Sequence, residues 1–150
     1  KPGCLVYLKG EDVSEIIREQ KVSEHILPIS GDPEVRNWVT DFLRRAATND
    51  NVVMDGRDIG SIVFPNAIYK FYVTASLESR TERRFSDLTV KEKESLNKEE
   101  IYDMLEKRDE GDRNRKFAPL VQTEDAILID NSDLNLSQTV DNMMAYITKI

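Results

Sequence analysis

With 150 residues, 39% of them hydrophobic and 33% charged, the chain has the length for one domain with a core and too little for two. A net charge of −7 excludes a generally basic surface of the kind that grips a nucleic-acid polymer, and no run nears the roughly 18 apolar residues of a membrane span. The only cysteine, Cys4, has no internal disulfide partner, which points to a reducing, cytoplasmic compartment.

In chain order, "CLVYLKG" (residues 4–10) is a short apolar run between Gly3 and Gly10 and predicts a strand. The stretch 11–22 fits a helical turn through Val13, Ile16 and Ile17 as well as a strand and turn. Pro33 opens the clearest helix. Val35, Trp38, Val39, Phe42, Leu43 and Ala46 form one apolar stripe at helical spacing, with Asp32 as N-cap and Pro33 at the first helical position. Residues 52–54 predict a short buried strand, and "AIYKFYVTA" (residues 67–75) a longer one. Ser76 caps a helix over "LESRTERRFSDL". A polar, solvated helical arm follows, interrupted near Gly111 and stopped by Pro119. "DAILID" (residues 125–130) predicts a third buried strand, and a last helix starts near Asn135 or Ser137. Strands alternating with helices imply a parallel sheet covered on both faces, with ligands at the carboxyl ends of its strands.

The charged residues fall into three groups. "DGRD" (residues 55–58) sits at the end of the strand 52–54. Gly56 allows a sharp turn or the close approach of a ligand. Arg57 offers a planar fork for phosphate, and Asp58 could accept from a base amine, as carboxylates do from cytosine. The same tetrapeptide reads equally as a turn with a local Arg–Asp surface pair. In "KRDEGDRNRK", Arg108, Asp112 and Arg115 lie on one face if helical, although a solvated, salt-bridged helix is the commoner cause of such a run. In "SRTERR", Arg80, Arg83 and Arg84 form a basic patch that also fits a plain exposed helix face. Three arginine-rich groups in an acidic chain fit phosphoryl transfer, which depends on positioning and on cancelling charge at the transferred oxygens. His25 is the only histidine, and the chain holds no CxxC or HxxxH. No histidine-based triad and no zinc centre is therefore expected, and no metal ligands are assigned.

Together "VVMDGRDIGSIVFPNA", "TASLESRTERR", "RDEGDRNRKFAPLVQTEDAILID" and "GEDVSEIIREQKV" resemble the bacterial cytidylate kinase family along essentially the whole chain. The resemblance implies an α/β P-loop kinase-like fold, a parallel sheet flanked by helices and here incomplete. Residues 1–31 would form part of the monophosphate-binding insertion, and residues 32–150 the core, with a helical lid over about 87–118. It implies a transferase of pyrimidine nucleotide metabolism that moves the terminal phosphoryl of ATP, with Mg2+, to CMP or dCMP. By matching positions, Arg57, Arg108 and Arg115 would hold the acceptor phosphate, Arg36 and Asp58 would read the cytosine edge, and Asp112 would take a ribose hydroxyl. Arg83 would approach the ATP phosphates.

Two departures from the family pattern stand out. A cytosine-reading serine is replaced by Leu27, followed by Pro28, with Ser30 nearby. None of the six glycines (3, 10, 31, 56, 60 and 111) begins the G-x-x-x-x-G-K-[ST] loop that cradles donor phosphates. The chain also opens without methionine. The expectation is a C-terminal portion of the family's length, inactive alone unless the preceding segment stays bound to it. Two other readings stand beside it: a kinase for another nucleoside monophosphate, and a non-catalytic module that binds a nucleotide or self-associates.

Overall fold

A computed structural model describes residues 5–18, 22, 25, 29–88, 93 and 96–147; Cys4, Leu27, Pro28 and part of the expected lid lie outside them. The first element is a small antiparallel hairpin, β1 (Tyr7–Leu8) against β2 (Glu11–Asp12). Ser14 closes it, its Oγ accepting from Val6 N at 2.9 Å. A short 3-10 turn, Ile16–Arg18, follows, so the ambiguous stretch contains both a strand and a helical turn.

Helix α1 (Pro33–Ala46) starts where its cap predicts. Asp32 Oδ1 accepts from Glu34 N (2.8 Å) and Val35 N (3.1 Å), and proline stands in the first turn. Residues 52–54 form no strand, contrary to expectation. No described strand runs beside them, so their backbone has no ladder, and Val53 is fully exposed. After them the chain tightens into a single π-type turn, Ile59–Val63. Val63 N reaches back to Asp58 O (3.1 Å), and Phe64 N to Ile59 O (2.7 Å).

Strand β3 (Phe71–Thr74) pairs in parallel with β4 (Ile127–Asp130), Phe71 opposite Ile127 and Thr74 opposite Asp130. The expected parallel direction is present, but β3 is shorter than the predicted run, and this sheet has two strands among the described residues. Its faces are not both covered: Val73 and Leu128 are each about half exposed. Between the strands runs α2 (Leu77–Asp87), capped by Ser76 Oγ on Ser79 N at 3.1 Å.

Helix α3 (Lys98–Arg113) opens with a reciprocal capping box, Asn97 with Glu100. It passes through Gly111 unbroken, which corrects the expected interruption. It lies against α2 through Arg80–Asp109 (2.7 Å) and Lys98–Glu82 (2.7 Å), with the Lys98 ammonium 5.4 Å from the Phe85 ring centre. Helix α4 (Leu136–Ile147) is opened by the mutual pair Asn135–Gln138, both bonds 2.9 Å. It meets the sheet through the edge-to-face rings of Tyr146 and Phe71.

Among the described residues the buried apolar side chains are few: Val63, Leu88, Ile101, Ala118 and Ile129. The apolar stripe of α1 is not part of that core. Trp38 and Phe42 stack at 5.7 Å on the surface, 64% and 52% exposed. Among the described residues no helix is long and apolar enough to cross a membrane.

Candidate functional site

The turn at 55–58 is sharp because Gly56 has no side chain. A Cβ there would lie 2.9 Å from Ile59 Cγ1, closer than carbon atoms pack. The chain therefore swings through Arg57 and Asp58 into the π-type turn with the two side chains sent to different partners. Asp58, 4% exposed, is paired with Arg36 Nη2 of α1. Burying a carboxylate is costly unless it is paired and hydrogen-bonded, and the guanidinium supplies both. Arg57 points to α3, where its Nε donates to Asp112 Oδ2 at 2.6 Å.

Asp112 is shared. Its Oδ1 accepts from Arg115 Nη2 at 2.8 Å, so one carboxylate holds two guanidinium groups from distant parts of the chain. Asp112 and Arg115 are largely buried, whereas Arg57 remains 43% exposed. The carbonyl of Asp112 also accepts from Leu120 N (2.8 Å), which folds the segment after α3 back onto its last turn. The geometry of this group differs from the expected single helix face. Helix α3 ends at Arg113, and Arg115 reaches Asp112 from the coil beyond it.

Of the seven predicted residues, five thus gather around the 57–58 turn: Arg57, Asp112 and Arg115 on one side, Arg36 and Asp58 on the other. Arg108 does not join them; it is exposed and has no ion-pair partner among the described residues. Arg83 lies elsewhere. It donates Nη1 to Asn131 Oδ1 (3.0 Å) and Nη2 to the carbonyls of Asn131, Ser132 (3.2 Å) and Leu134 (3.3 Å). It thereby shapes the loop after β4 and lines a cleft of about 240 Å³ beside Asn135 and Thr139. A second cleft, about 350 Å³, lies between α2 and α3. Neither cleft is lined by the 57–58 group.

Two further cations hold the turn and escaped the sequence reading. Arg44 of α1 donates Nε to Val63 O (2.9 Å) and Nη2 to Ile62 O (2.8 Å). Lys70 donates to Pro65 O at 2.7 Å and pairs with Asp125. Lys70 had a readable signal, being the single charged residue inside the run 67–75. Arg44 had none, since exposed helix arginines are common. The bond to Lys70 holds the Asp125 carboxyl below its ordinary value of 3.8.

A guanidinium on the turn and a second from the coil after α3 meet at one carboxylate, next to a buried Arg–Asp pair, and such a set of groups suits a small phosphorylated ligand with a nitrogenous base. Comparison with known proteins gives the family. The cytidylate kinase profile matches residues 3–149. Proteins named cytidylate kinase are similar along almost the whole chain. That of Caldanaerobacter subterraneus subsp. tengcongensis is 45% identical over 147 residues, covering 98% of this chain and 65% of the relative. That of Carboxydothermus hydrogenoformans is 41% identical over 145 residues (97% and 65%), and that of Caldicellulosiruptor bescii 39% over 146 (97% and 64%). The chain belongs to the cytidylate kinase family, whose members have the P-loop kinase fold. It spans 65% of the length of the first two of these relatives.

Proposed function

We propose that this chain supplies the acceptor side and lid of a kinase that transfers the terminal phosphoryl of ATP to CMP and dCMP. The single observation that carries the reading is the convergence of Arg57 and Arg115 on Asp112, with Arg57 adjacent in sequence to the buried Asp58–Arg36 pair. A mononucleotide has the matching order of groups: an anionic phosphate, a ribose and a base edge. In the proposed complex Arg57 and Arg115 transfer their forks from Asp112 to the acceptor phosphate, and Arg108 joins them from α3. Asp112 then accepts from a ribose hydroxyl, while Asp58 and Arg36 read the amine and carbonyl of cytosine. Arg83 contributes from the donor side. Guanidinium groups suit the step because phosphoryl transfer needs its charge cancelled more than it needs covalent help.

Under this reading residues 1–31 belong to the monophosphate-binding insertion and the lid covers about 87–118. Magnesium enters with ATP as part of the donor. Among the described residues no three His, Cys, Asp or Glu side chains come together to hold a metal, and no step is assigned to one here. The donor-cradling loop does not occur in these 150 residues. The test therefore uses the chain preceded by a Walker-A segment, in a coupled assay with ATP and a panel of CMP, dCMP, UMP and AMP. CMP and dCMP are expected to be the preferred acceptors. Preference for UMP or AMP would overturn the substrate, and CMP binding without transfer would favour a non-catalytic nucleotide-binding module.

A further inference from the structure

Lysine is rarely buried without a reason, since its ammonium loses hydration. Lys70 is 8% exposed. Its main chain is fixed by the sheet, where Lys70 O accepts from Ile127 N at 2.8 Å just before β3 begins. From that platform the side chain runs to the turn that follows Asp58. Its stem passes Gly60 so closely that a Cβ there would meet Lys70 Cδ at 3.1 Å. Its ammonium ends on Pro65 O (2.7 Å) and Asp125.

The turn needs such a support. A π-type turn closes few of its own hydrogen bonds and leaves the carbonyls at its end without helical partners. Here cations take the carbonyls of Ile62 and Val63, through Arg44, and that of Pro65 just beyond the turn, through Lys70. The turn is in turn tied to the site, because Asp58 O accepts from both Ile62 N (2.9 Å) and Val63 N (3.1 Å). Movement of the turn would therefore move the Asp58 peptide and, with it, Arg57.

We propose that Lys70 is a positioning residue for the acceptor site, holding the 58–63 turn at Pro65 and Gly60 and so fixing where Arg57 and Asp58 stand. The functional half of this inference rests on the CMP-binding reading above; the mechanical half does not. Asp125 serves as the contrast. It is mostly exposed and helps to neutralise Lys70, and among the described residues no hydrogen bond or ion pair joins its side chain to the turn.

The test compares Lys70→Met, which keeps the stem and removes the ammonium, with Asp125→Asn. Two quantities are measured on the chain: amide hydrogen exchange by NMR, and the ratio of CMP to UMP affinity by calorimetry. In Lys70→Met, exchange at Ile62, Val63 and Phe64 should rise about tenfold relative to Ile129, and the CMP:UMP ratio should fall severalfold. Asp125→Asn should lower the thermal midpoint while changing neither quantity. Unchanged exchange in Lys70→Met would refute the support itself. Faster exchange with an unchanged CMP:UMP ratio would reduce Lys70 to a structural residue. Absence of CMP binding in the unaltered chain would sink the functional reading and leave the exchange result to decide the mechanical one. If Lys70→Met does not fold, Gly60→Ala replaces it; by pushing the lysine stem aside it should raise exchange at the same three amides, and no rise there would refute the proposal.

Discussion

The Arg36–Asp58 pair can be tested by a double-mutant cycle. Asp58→Ala would leave the Arg36 guanidinium, whose side chain is 16% exposed, without its counter-ion. Arg36 Nε already has no hydrogen-bond partner, so little else in the structure compensates. Breaking one side of a buried ion pair costs about 3–5 kcal/mol. The residual exposure of Arg36 places the expected loss near the lower end, ~3 kcal/mol. For a chain of this size that corresponds to a fall in thermal midpoint of roughly 6–12 °C. Arg36→Met should cost a similar amount, because it strands the buried carboxylate instead. The double variant Arg36→Met/Asp58→Ala removes both charges and should cost less than the sum by about 2 kcal/mol or more. Urea unfolding followed by circular dichroism gives all four corners of the cycle. Two small, additive losses below about 1 kcal/mol would show a solvated surface pair instead of a buried clamp.

Other outcomes follow from neighbouring contacts. Arg57→Ala should leave stability within about 1 kcal/mol, because its one ion pair is partly solvated, while turnover in the Walker-A-containing protein falls by a hundredfold or so; a loss confined to thermal stability would make the arginine structural. Asp58→Asn should weaken discrimination between CMP and UMP in competitive binding, and unchanged discrimination would remove the carboxylate from the base pocket. Gly56→Ala should cost about 1–3 kcal/mol by forcing Ile59 aside and should weaken CMP binding, both read from one set of thermal-shift titrations. For pH, the carboxyls of Asp130 and Asp12 lie below their ordinary value of 3.8, each held first by the hydroxyl and then by the amide of the serine two residues on. A depressed folded value means stability that is present above 3.8 and lost as pH falls through the lower folded value. The urea midpoint should therefore drop with acid below that point, and Asp130→Asn should make the drop shallower.

What could be read from the sequence was local. Asp32 and Ser76 announce helix starts because a cap is a contact within three residues, and Asn135, one of the two starts offered for the last helix, makes the same kind of contact. The parallel β3–β4 pairing follows from two apolar runs with helices between them. The failures were of longer range. Residues 52–54 have the composition of a buried strand, but composition cannot supply the neighbouring strand that would bury them. The stripe of α1 likewise predicts a face without saying whether anything covers it, and Trp38 and Phe42 lie on the surface. Gly111 suggested a break worth about 1 kcal/mol, too little to stop a helix held by a capping box at one end and by the Arg80–Asp109 pair two residues before the glycine. In the site, the residue types were legible because guanidinium and carboxylate chemistry is specific. The pairing of Arg57 with Asp112 joins positions 55 residues apart, and no local pattern encodes that.

The placement of so much charge on a glycine hinge now has a physical explanation. Each charged group at 57–58 has its partner on a different element, Asp58 on α1 and Arg57 on the last turn of α3, and the following turn is gripped by cations from α1 and from the residue ahead of β3. Apolar contacts alone would pack these segments at comparable cost, since a buried ion pair is often no more stable than well-packed hydrophobic residues. What apolar contacts lack is direction. Charge-assisted hydrogen bonds are directional, so the hinge is held in a defined orientation rather than merely held in place. A variant that restored stability with apolar side chains at Arg36 and Asp58 would therefore keep the fold and lose the proposed acceptor site.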